Sequence, residues 1–486
     1  MRINLQPVSN VIGIFLIVLG ILMFFCAGVS GYYNSGDTHA FVQSATITMF
    51  LGAISWKYKF SKKEDNITKR EGYLIVAFAW FFLCVLSALP FYITGATENF
   101  TDAIFEATSG VTTTGATIFN DIESLPQGIL LWRSLTQWIG GLGIVVLTVA
   151  LFPILGIAGI ELFVAESPGP TTDKIHPRIK ETAKRLWYIY SGLTLLAAAI
   201  YYLCGMEAFD AFNHALTSLS TGGFSTKNTS FAYFDNSILH YFAVLFMALG
   251  GTNFMVLYFL LKFRWARAFR NEEFRTYSIV LMILSVLILV SLLVNQYSLT
   301  EENFRHSLFT VVSLVTTTGY VINDYGLWPN VSNAILFLIF FSGACAGSTS
   351  GGIKIIRHTV FFKNSILEFK RILHPRAMIR IKINKELVAP RILTHILVFL
   401  LIYLFVFFMG FVSLTLFGID LFTAAGLSAS AIGNIGPAFG EIGAVNSCSS
   451  LPVAAKWIMS FLMIIGRLEL FTVLVLFTPF FWRVNA

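Results

Sequence analysis

The sequence predicts an all-α polytopic membrane protein: two extra N-terminal helices followed by four repeats of helix, re-entrant pore loop and helix around a central pore. Three observations carry this reading. Of 486 residues, 56% are hydrophobic and only 12% charged, and apolar runs near twenty residues, each able to cross a hydrocarbon core of about 30 Å as a helix, recur along the chain. A short segment ending in Thr, Ser and Gly recurs four times between those runs. Lys and Arg cluster in alternate connecting segments, as in a chain threaded through a bilayer.

The composition sets limits. A mean hydropathy of +0.74 and 48 Phe exclude a disordered, collagenous, coiled-coil or small disulfide-stapled chain, and leave no room for a large water-soluble catalytic domain. Cys26, Cys84, Cys204, Cys345 and Cys448 are far apart, without metal-ligand spacing, and read as free thiols. Taken in order, the expected spans are 11–33, 39–55, 72–94, 128–157, 187–204, 237–262, 277–296, 332–357, 391–417 and 453–482. The first is too long for a signal-peptide core and lacks a cleavage site beside Cys26. The expected units are a two-helix extension over 1–71, then pore repeats over 72–186, 187–276, 277–390 (with a broken second helix) and 391–486.

Segments 57–70, 158–186, 262–276 and 354–391, with Arg2 and Arg483, hold every Lys and Arg except Arg133, Lys227, Arg305, Lys456 and Arg467. The positive-inside rule makes those segments and both termini cytoplasmic, which ten crossings permit. The opposite face carries Asp37, Glu98, Asp102, Asp121, Glu123, Glu207, Asp210, Asp235, Glu301, Glu302, Asp324, Asp420 and Glu441. An acidic vestibule would concentrate cations; translocation bias alone would leave the same pattern.

After the third, fifth, seventh and ninth spans come DAIFEATSGVTTTGA from Asp102, DAFNHALTSLSTGGF from Asp210, HSLFTVVSLVTTTGY from His306 and TAAGLSASAIGNIGP from Thr423, each with a glycine thirteen residues after its first letter. Those glycines are Gly115, Gly223, Gly319 and Gly436. Each segment is too short to cross and reads as a re-entrant half-helix. Irregular backbone is tolerated within a membrane only where protein buries it or it lines a watery cavity, so four such turns converge on something polar. Small residues also serve helix packing; fourfold repetition in register favours a pore. The candidate ligands are the carbonyls of Thr113, Thr221, Thr317 and Asn434 and of Thr114, Gly222, Thr318 and Ile435, which can replace the hydration shell of a monovalent cation. The absence of Asp and Glu from the turns argues against calcium.

The returning helices are interrupted by glycine at Gly140 and Gly141, at Gly250 and Gly251, through Gly343–Gly352, and at Gly466. The run of Gly343, Gly347, Ser348, Thr349, Ser350, Gly351 and Gly352 holds no large side chain, and each glycine costs a helix up to about 1 kcal/mol relative to alanine. A broken helix with a flexible loop below the filter, able to occlude it, is expected there. A nucleotide-binding loop is excluded, because GxxxxGK[ST] is absent. Arg467 is an intramembrane charge, functional by default; it is read as a charge barrier facing the pore, or alternatively as the partner of a helix-end carbonyl or another repeat's acid, with Glu469 a poor partner. Lys354 is either part of the gate or a simple cytoplasmic anchor.

Read in order, LSALPFYITGA, SGVTTTGATIF, WRSLTQWIGGLGIVVL, AESPGP with DKIHPRIKETAK, LSTGGFST, TTTGY, AGSTSGGIKIIR and GNIGPAFG resemble the TrkH-type subunits of the Trk/Ktr/HKT superfamily of potassium transporters over essentially the whole chain. The resemblance implies potassium uptake across a bacterial inner membrane, a homodimer with one pore per protomer, and a cytosolic nucleotide-binding regulator of the TrkA type. It places filter ligands at the eight carbonyl positions above, the gate at Gly343–Gly352 and the pore arginine at Arg467. It also implies potassium over sodium, since serine at the first filter glycine goes with sodium preference and all four positions here are glycine. The gate departs from the family pattern at Ser350 and Cys345. A sodium-permeable or cation-coupled symporter on the same scaffold is the alternative. An enzyme is not expected, as HExxH, GxSxG and paired intramembrane carboxylates are absent. No bound cofactor and no nucleic-acid partner are expected either; the transported potassium ion and the lipid bilayer are. The basic segments read as solvated loops or as sites for anionic headgroups or an acidic regulator face.

Overall fold

Helices Leu5–Tyr33 and Thr38–Lys57 form an N-terminal hairpin in a computed structural model that describes residues 4–57, 69–151, 179–295, 297–377, 379–443 and 446–483. The AESPGP segment, the basic stretch that follows it as far as Arg178, and most of the basic run after Lys57 lie outside the described residues. The hairpin packs through glycines: a Cβ on Gly13 would lie 2.6 Å from the Gly52 carbonyl oxygen, and one on Gly52 would lie 2.8 Å from that of Gly13. Such close backbone approach is how helices associate where lipid supplies no hydrophobic drive.

The hairpin is fastened to the first repeat at its turn. Asp37 is buried and accepts hydrogen bonds from the hydroxyls of Ser30 and Ser35, both at 2.5 Å, and from the Ile129 amide at 3.0 Å. Ile129 lies in the first turn of the helix Gln127–Leu151, so Asp37 caps that helix from another element. Asp37→Ala orphans these donors, and a loss of about 1–3 kcal/mol follows. A thermal melt in detergent reads it; an unchanged transition would show that the cap contributes nothing.

Each repeat has a first helix, a half-helix, a turn and a second helix. The half-helices are Phe100–Val111, Ala208–Leu219, Glu301–Val315 and Leu421–Gly433, each preceded by a first helix: Lys69–Ser87, Ile179–Leu203, Glu272–Val294 and Pro390–Thr415. All four second helices are interrupted near glycine. In the first the break falls at Gly143, φ 65°, rather than at Gly140 and Gly141, which remain helical. The second bends by 116° between Ser237–Gly250 and Phe254–Leu261, and the fourth by 106° between Val453–Arg467 and Phe471–Phe477. The third stops at Ile339 and resumes at Ile355.

The sequence leads one to expect ten spans, four of them interrupted by glycine; among the described residues five helices are by themselves long and apolar enough to cross, or seven with the two bent pairs. Large apolar side chains remain exposed along the flanks, with Phe50, Met282, Leu401 and Phe405 each more than 60% exposed. An aqueous protein would bury them, whereas lipid solvates them. The fold is a multi-pass membrane protein. The strands among the described residues are Lys382–Ile383 and Glu386–Leu387, a hairpin whose turn residues Asn384 and Lys385 take φ 50° and 70°.

Candidate functional site

The four half-helices end alike. Thr113 and Thr114 donate their amides to Gly110 and Ser109; Thr221 and Gly222 to Ser218 and Thr217; Thr317 and Thr318 to Leu314 and Ser313; Asn434 and Ile435 to Ala431 and Ser430. Each is a helix end closed by a residue in the left-handed region, where glycine is usual. Here Thr113, Thr221, Thr317 and Asn434 take φ of 54°, 51°, 55° and 53°. Asparagine tolerates that region, but a β-branched threonine there is an outlier. Strain of this kind persists only where surroundings over-determine it, and it gathers at functional sites.

Two residues on, Gly115, Gly223, Gly319 and Gly436 have φ of 86°, 81°, 80° and 100°. A Cβ on Gly115 would collide with the Gly222 carbonyl oxygen, one on Gly223 with that of Thr318, one on Gly319 with that of Ile435, and one on Gly436 with that of Thr114. The sequence of collisions runs from repeat one to two, three, four and back to one. The turns therefore form a closed ring in which each carbonyl before a glycine sits against the glycine of the preceding repeat. All twelve residues of the expected filter are brought together. The half-helix C-termini carry partial negative charge toward this ring. Among the described residues Thr113 Oγ1 and Asn434 Oδ1 are buried oxygens without a hydrogen-bond partner.

Several supports lie outside the expected set. Gln137 donates from Nε2 to the Gly222 carbonyl at 2.7 Å and accepts from the Phe224 amide at 3.0 Å. Glu106, fully buried on the first half-helix, pairs with Arg133 at 2.8 Å and accepts from the Ile118 amide at 3.0 Å. Arg133 also donates to the Ser225 carbonyl at 2.9 Å and lies 4.1 Å from the centre of the Phe224 ring, joining repeats one and two just above the ring. Tyr320 donates to the His214 carbonyl at 3.1 Å, joining repeats three and two; the Cys448 amide donates to Thr117 at 2.7 Å, joining four and one. An intramembrane charge is a signal by itself, and it marks Glu106 and Arg133 as clearly as Arg467.

Below the ring lies the Gly343–Gly352 loop. Its ends are tied by the Gly343 amide to Ile353 at 2.7 Å and the Ile355 amide to Ala344 at 3.0 Å. Thr349 Oγ1 donates to the carbonyls of Leu219 at 2.9 Å and Gly250 at 3.0 Å. The Gly351 amide donates to Thr317 Oγ1 at 2.7 Å, and a Cβ on Gly351 would collide with the Gly433 carbonyl. The loop thus crosses beneath the ring and touches repeats two, three and four. Further bonds hold it in this arrangement: Asn253 donates to Ala346 at 2.6 Å, and the Ala346 amide donates to Glu273 at 2.6 Å.

Arg467 reaches this loop from repeat four. It donates to the Thr349 carbonyl at 2.8 Å and to the carbonyls of Gly140 and Gly141 in repeat one. The helix-end partner considered for it is thus present, together with a contact to the loop. Glu469 pairs with Arg357 instead. Lys354 is buried and donates to the carbonyl and hydroxyl of Ser350, so it fastens the loop and is not a simple cytoplasmic anchor.

Above the ring opens a vestibule to which all four ring glycines contribute. The lining differs from the acidic funnel considered from the sequence: its charged residues are Arg133 and Lys227, and it contains no Asp or Glu. The carboxylates stand behind and around it.

A cyclic array of four half-helix turns, each in register with a broken second helix, defines a pore-loop membrane protein. A family model described as TrkH, cation transport protein, matches residues 37–484, and the chain belongs to that family. It is 39% identical to a Halomonas elongata relative named Trk system potassium uptake protein TrkH, over 99% of this chain and 100% of the relative. It is 38% identical to the Escherichia coli K12 protein of the same name, with the same coverage, and 36% identical to Trk system potassium uptake protein TrkG of that organism, over 94% of each. The crystal structure of the potassium transporter TrkH from Vibrio parahaemolyticus superposes with a TM-score of 0.88 at 34% identity, covering 99% of this chain and 100% of that one. These relatives are named as transporters, not enzymes.

Proposed function

We propose that the chain is the potassium-conducting subunit of a bacterial inner-membrane uptake system, with both termini cytoplasmic and the half-helices entering from outside. The observation that carries this is the closed ring of carbonyls. The carbonyls of Gly222, Thr318, Ile435 and Thr114 sit against Gly115, Gly223, Gly319 and Gly436, where any Cβ would collide with them, and with the carbonyls of Thr113, Thr221, Thr317 and Asn434 from the same turns they supply neutral oxygens to the axis. Neutral oxygens in a ring replace the shell of a weakly hydrated monovalent ion without binding it too tightly to leave. Aligned half-helix dipoles add favourable potential for a cation and none for an anion.

The loop holding Gly343, Gly347, Ser348, Thr349, Ser350, Gly351 and Gly352 is the gate, here closed beneath the ring. Arg467 is its latch: it holds Thr349 and stands below the filter as a positive barrier. Lys354 anchors the far end. The opening force comes from a cytosolic nucleotide-binding partner of the TrkA type acting on a homodimer; the relatives' names place them in a Trk system.

The test is potassium and sodium flux through purified protein in liposomes, with and without such a partner. Selective potassium flux with a reversal potential at that of potassium supports the reading; obligatory coupling to sodium sinks it. Arg467→Ala removes the latch and the barrier together, so basal potassium flux is expected to rise about tenfold or more, the effect of about 1.4 kcal/mol on a gating equilibrium. A flux equal to that of the unaltered chain would remove Arg467 from the gate.

A further inference from the structure

Lys227 stands in the vestibule wall beside the four filter glycines. Its ammonium lies 3.3 Å from Asp210 Oδ2 and 4.6 Å from the centre of the Tyr233 ring, with the side chain 20% exposed. Asp210 is itself buried, its other oxygen accepting from Thr226 Oγ1 at 2.7 Å. Two more carboxylates close the cluster through the next residue: the Asn228 amide donates to Glu123 at 3.1 Å and its side chain to Asp121 at 3.2 Å. The other cation of the lining, Arg133, is already neutralised by Glu106. One carboxylate therefore pairs with Lys227, and two more are held by the neighbouring Asn228.

The protonation states suit this arrangement. Burial works against the Lys227 charge, but Asp210 outweighs it and holds the ammonium above its ordinary range. The hydrogen bond from Asn228 holds the Asp121 carboxyl below its own. Lys227 is thus a positive charge in the wall of the vestibule.

We propose that Lys227 is a built-in counter-ion that occupies the cation position beside the filter entrance and so keeps divalent cations from settling on Asp210 in front of the pore. A divalent ion is attracted to a carboxylate about twice as strongly as potassium at equal distance, and one that lodged there would obstruct entry to the ring. The tethered ammonium neutralises Asp210 and leaves Glu123 and Asp121 as a diffuse attraction that monovalent ions can use. Among the described residues no group of three or more His, Cys, Asp or Glu could hold a metal ion. The position freed by removing Lys227 is accordingly weak, and its block falls in the millimolar range.

This inference rests on the reading of the ring as a potassium pathway entered from the vestibule. The experiment is potassium uptake by cells lacking other potassium uptake systems, with barium or magnesium added outside at low ionic strength. The chain and its Lys227→Arg variant should be insensitive. Lys227→Met and Lys227→Gln should lose about fivefold or more of their uptake, less so as salt is raised, and Asp210→Asn added to Lys227→Met should restore insensitivity. Neutral variants as insensitive as the parent overturn the proposal. So does a block that persists in the double variant, since it then lies elsewhere. Absence of potassium uptake by the unaltered chain would instead defeat the potassium reading, and this inference with it.

Discussion

Gly223→Ala is expected to abolish discrimination between potassium and sodium while leaving the protein folded. At φ 81° an L-residue costs about 1–2 kcal/mol, which a folded membrane protein survives. The larger consequence is steric. The new Cβ lands on the Thr318 carbonyl oxygen and against the backbone of Gly319, so an oxygen of the ring must move. Selectivity is a small difference between two large solvation terms: a shift of about 1.4 kcal/mol in relative binding changes it tenfold. Displacing one oxygen of the ring by a few tenths of an ångström is enough. Gly115→Ser, Gly319→Ala and Gly436→Ala should act likewise, as each collides with a carbonyl of the next repeat. Gly205→Ala is the control, for Gly205 has φ 100° but nothing within 4 Å of its Cβ position. It imposes the strain without the collision, and its flux ratio should match the parent. The reading fails if Gly223→Ala keeps the parental ratio.

What is legible in the sequence is the part of the molecule that is local. Half-helix, turn and glycine recur at fixed spacing, so the ring residues align on that spacing alone, and the glycine breaks announce the bent second helices. Thr113, Thr221 and Thr317 in left-handed conformation are not legible, because intrinsic preference opposes it and only closure of the ring imposes it. Pairings distant in the chain are also hidden. Nothing in a single sequence joins Gln137 to Gly222 or Arg467 to Gly140, separated by 85 and 327 residues. Lys354 shows the same limit, since a lysine at the end of the glycine loop reads equally as part of the gate or as an anchor until its burial against Ser350 is seen. Counting acids on the outer face likewise describes the rim and misses Lys227 in the wall.

Glu106→Leu and Arg133→Met, made singly, are expected to be the most destabilising changes in the chain, and less so when combined. The pair is 0% and 1% exposed. Two ions taken out of water contribute little net stability, because desolvation offsets their attraction, but removing one partner strands the other charge, at about 3–5 kcal/mol. Glu106→Leu also orphans the Ile118 amide, and Arg133→Met orphans the Ser225 carbonyl. The double variant strands no ion and keeps only the loss of those weaker bonds, each about 1–3 kcal/mol when left unmade. The two changes should therefore be strongly non-additive, with coupling above about 1.5 kcal/mol, in thermal melts in detergent. Additive losses would mean that the pair acts independently and does not brace the ring. Because Arg133 ties the backbone after the first glycine to that after the second, whatever folded protein the single variants yield should also pass sodium; a stability loss with intact selectivity would confine the pair to folding and remove it from the filter's support.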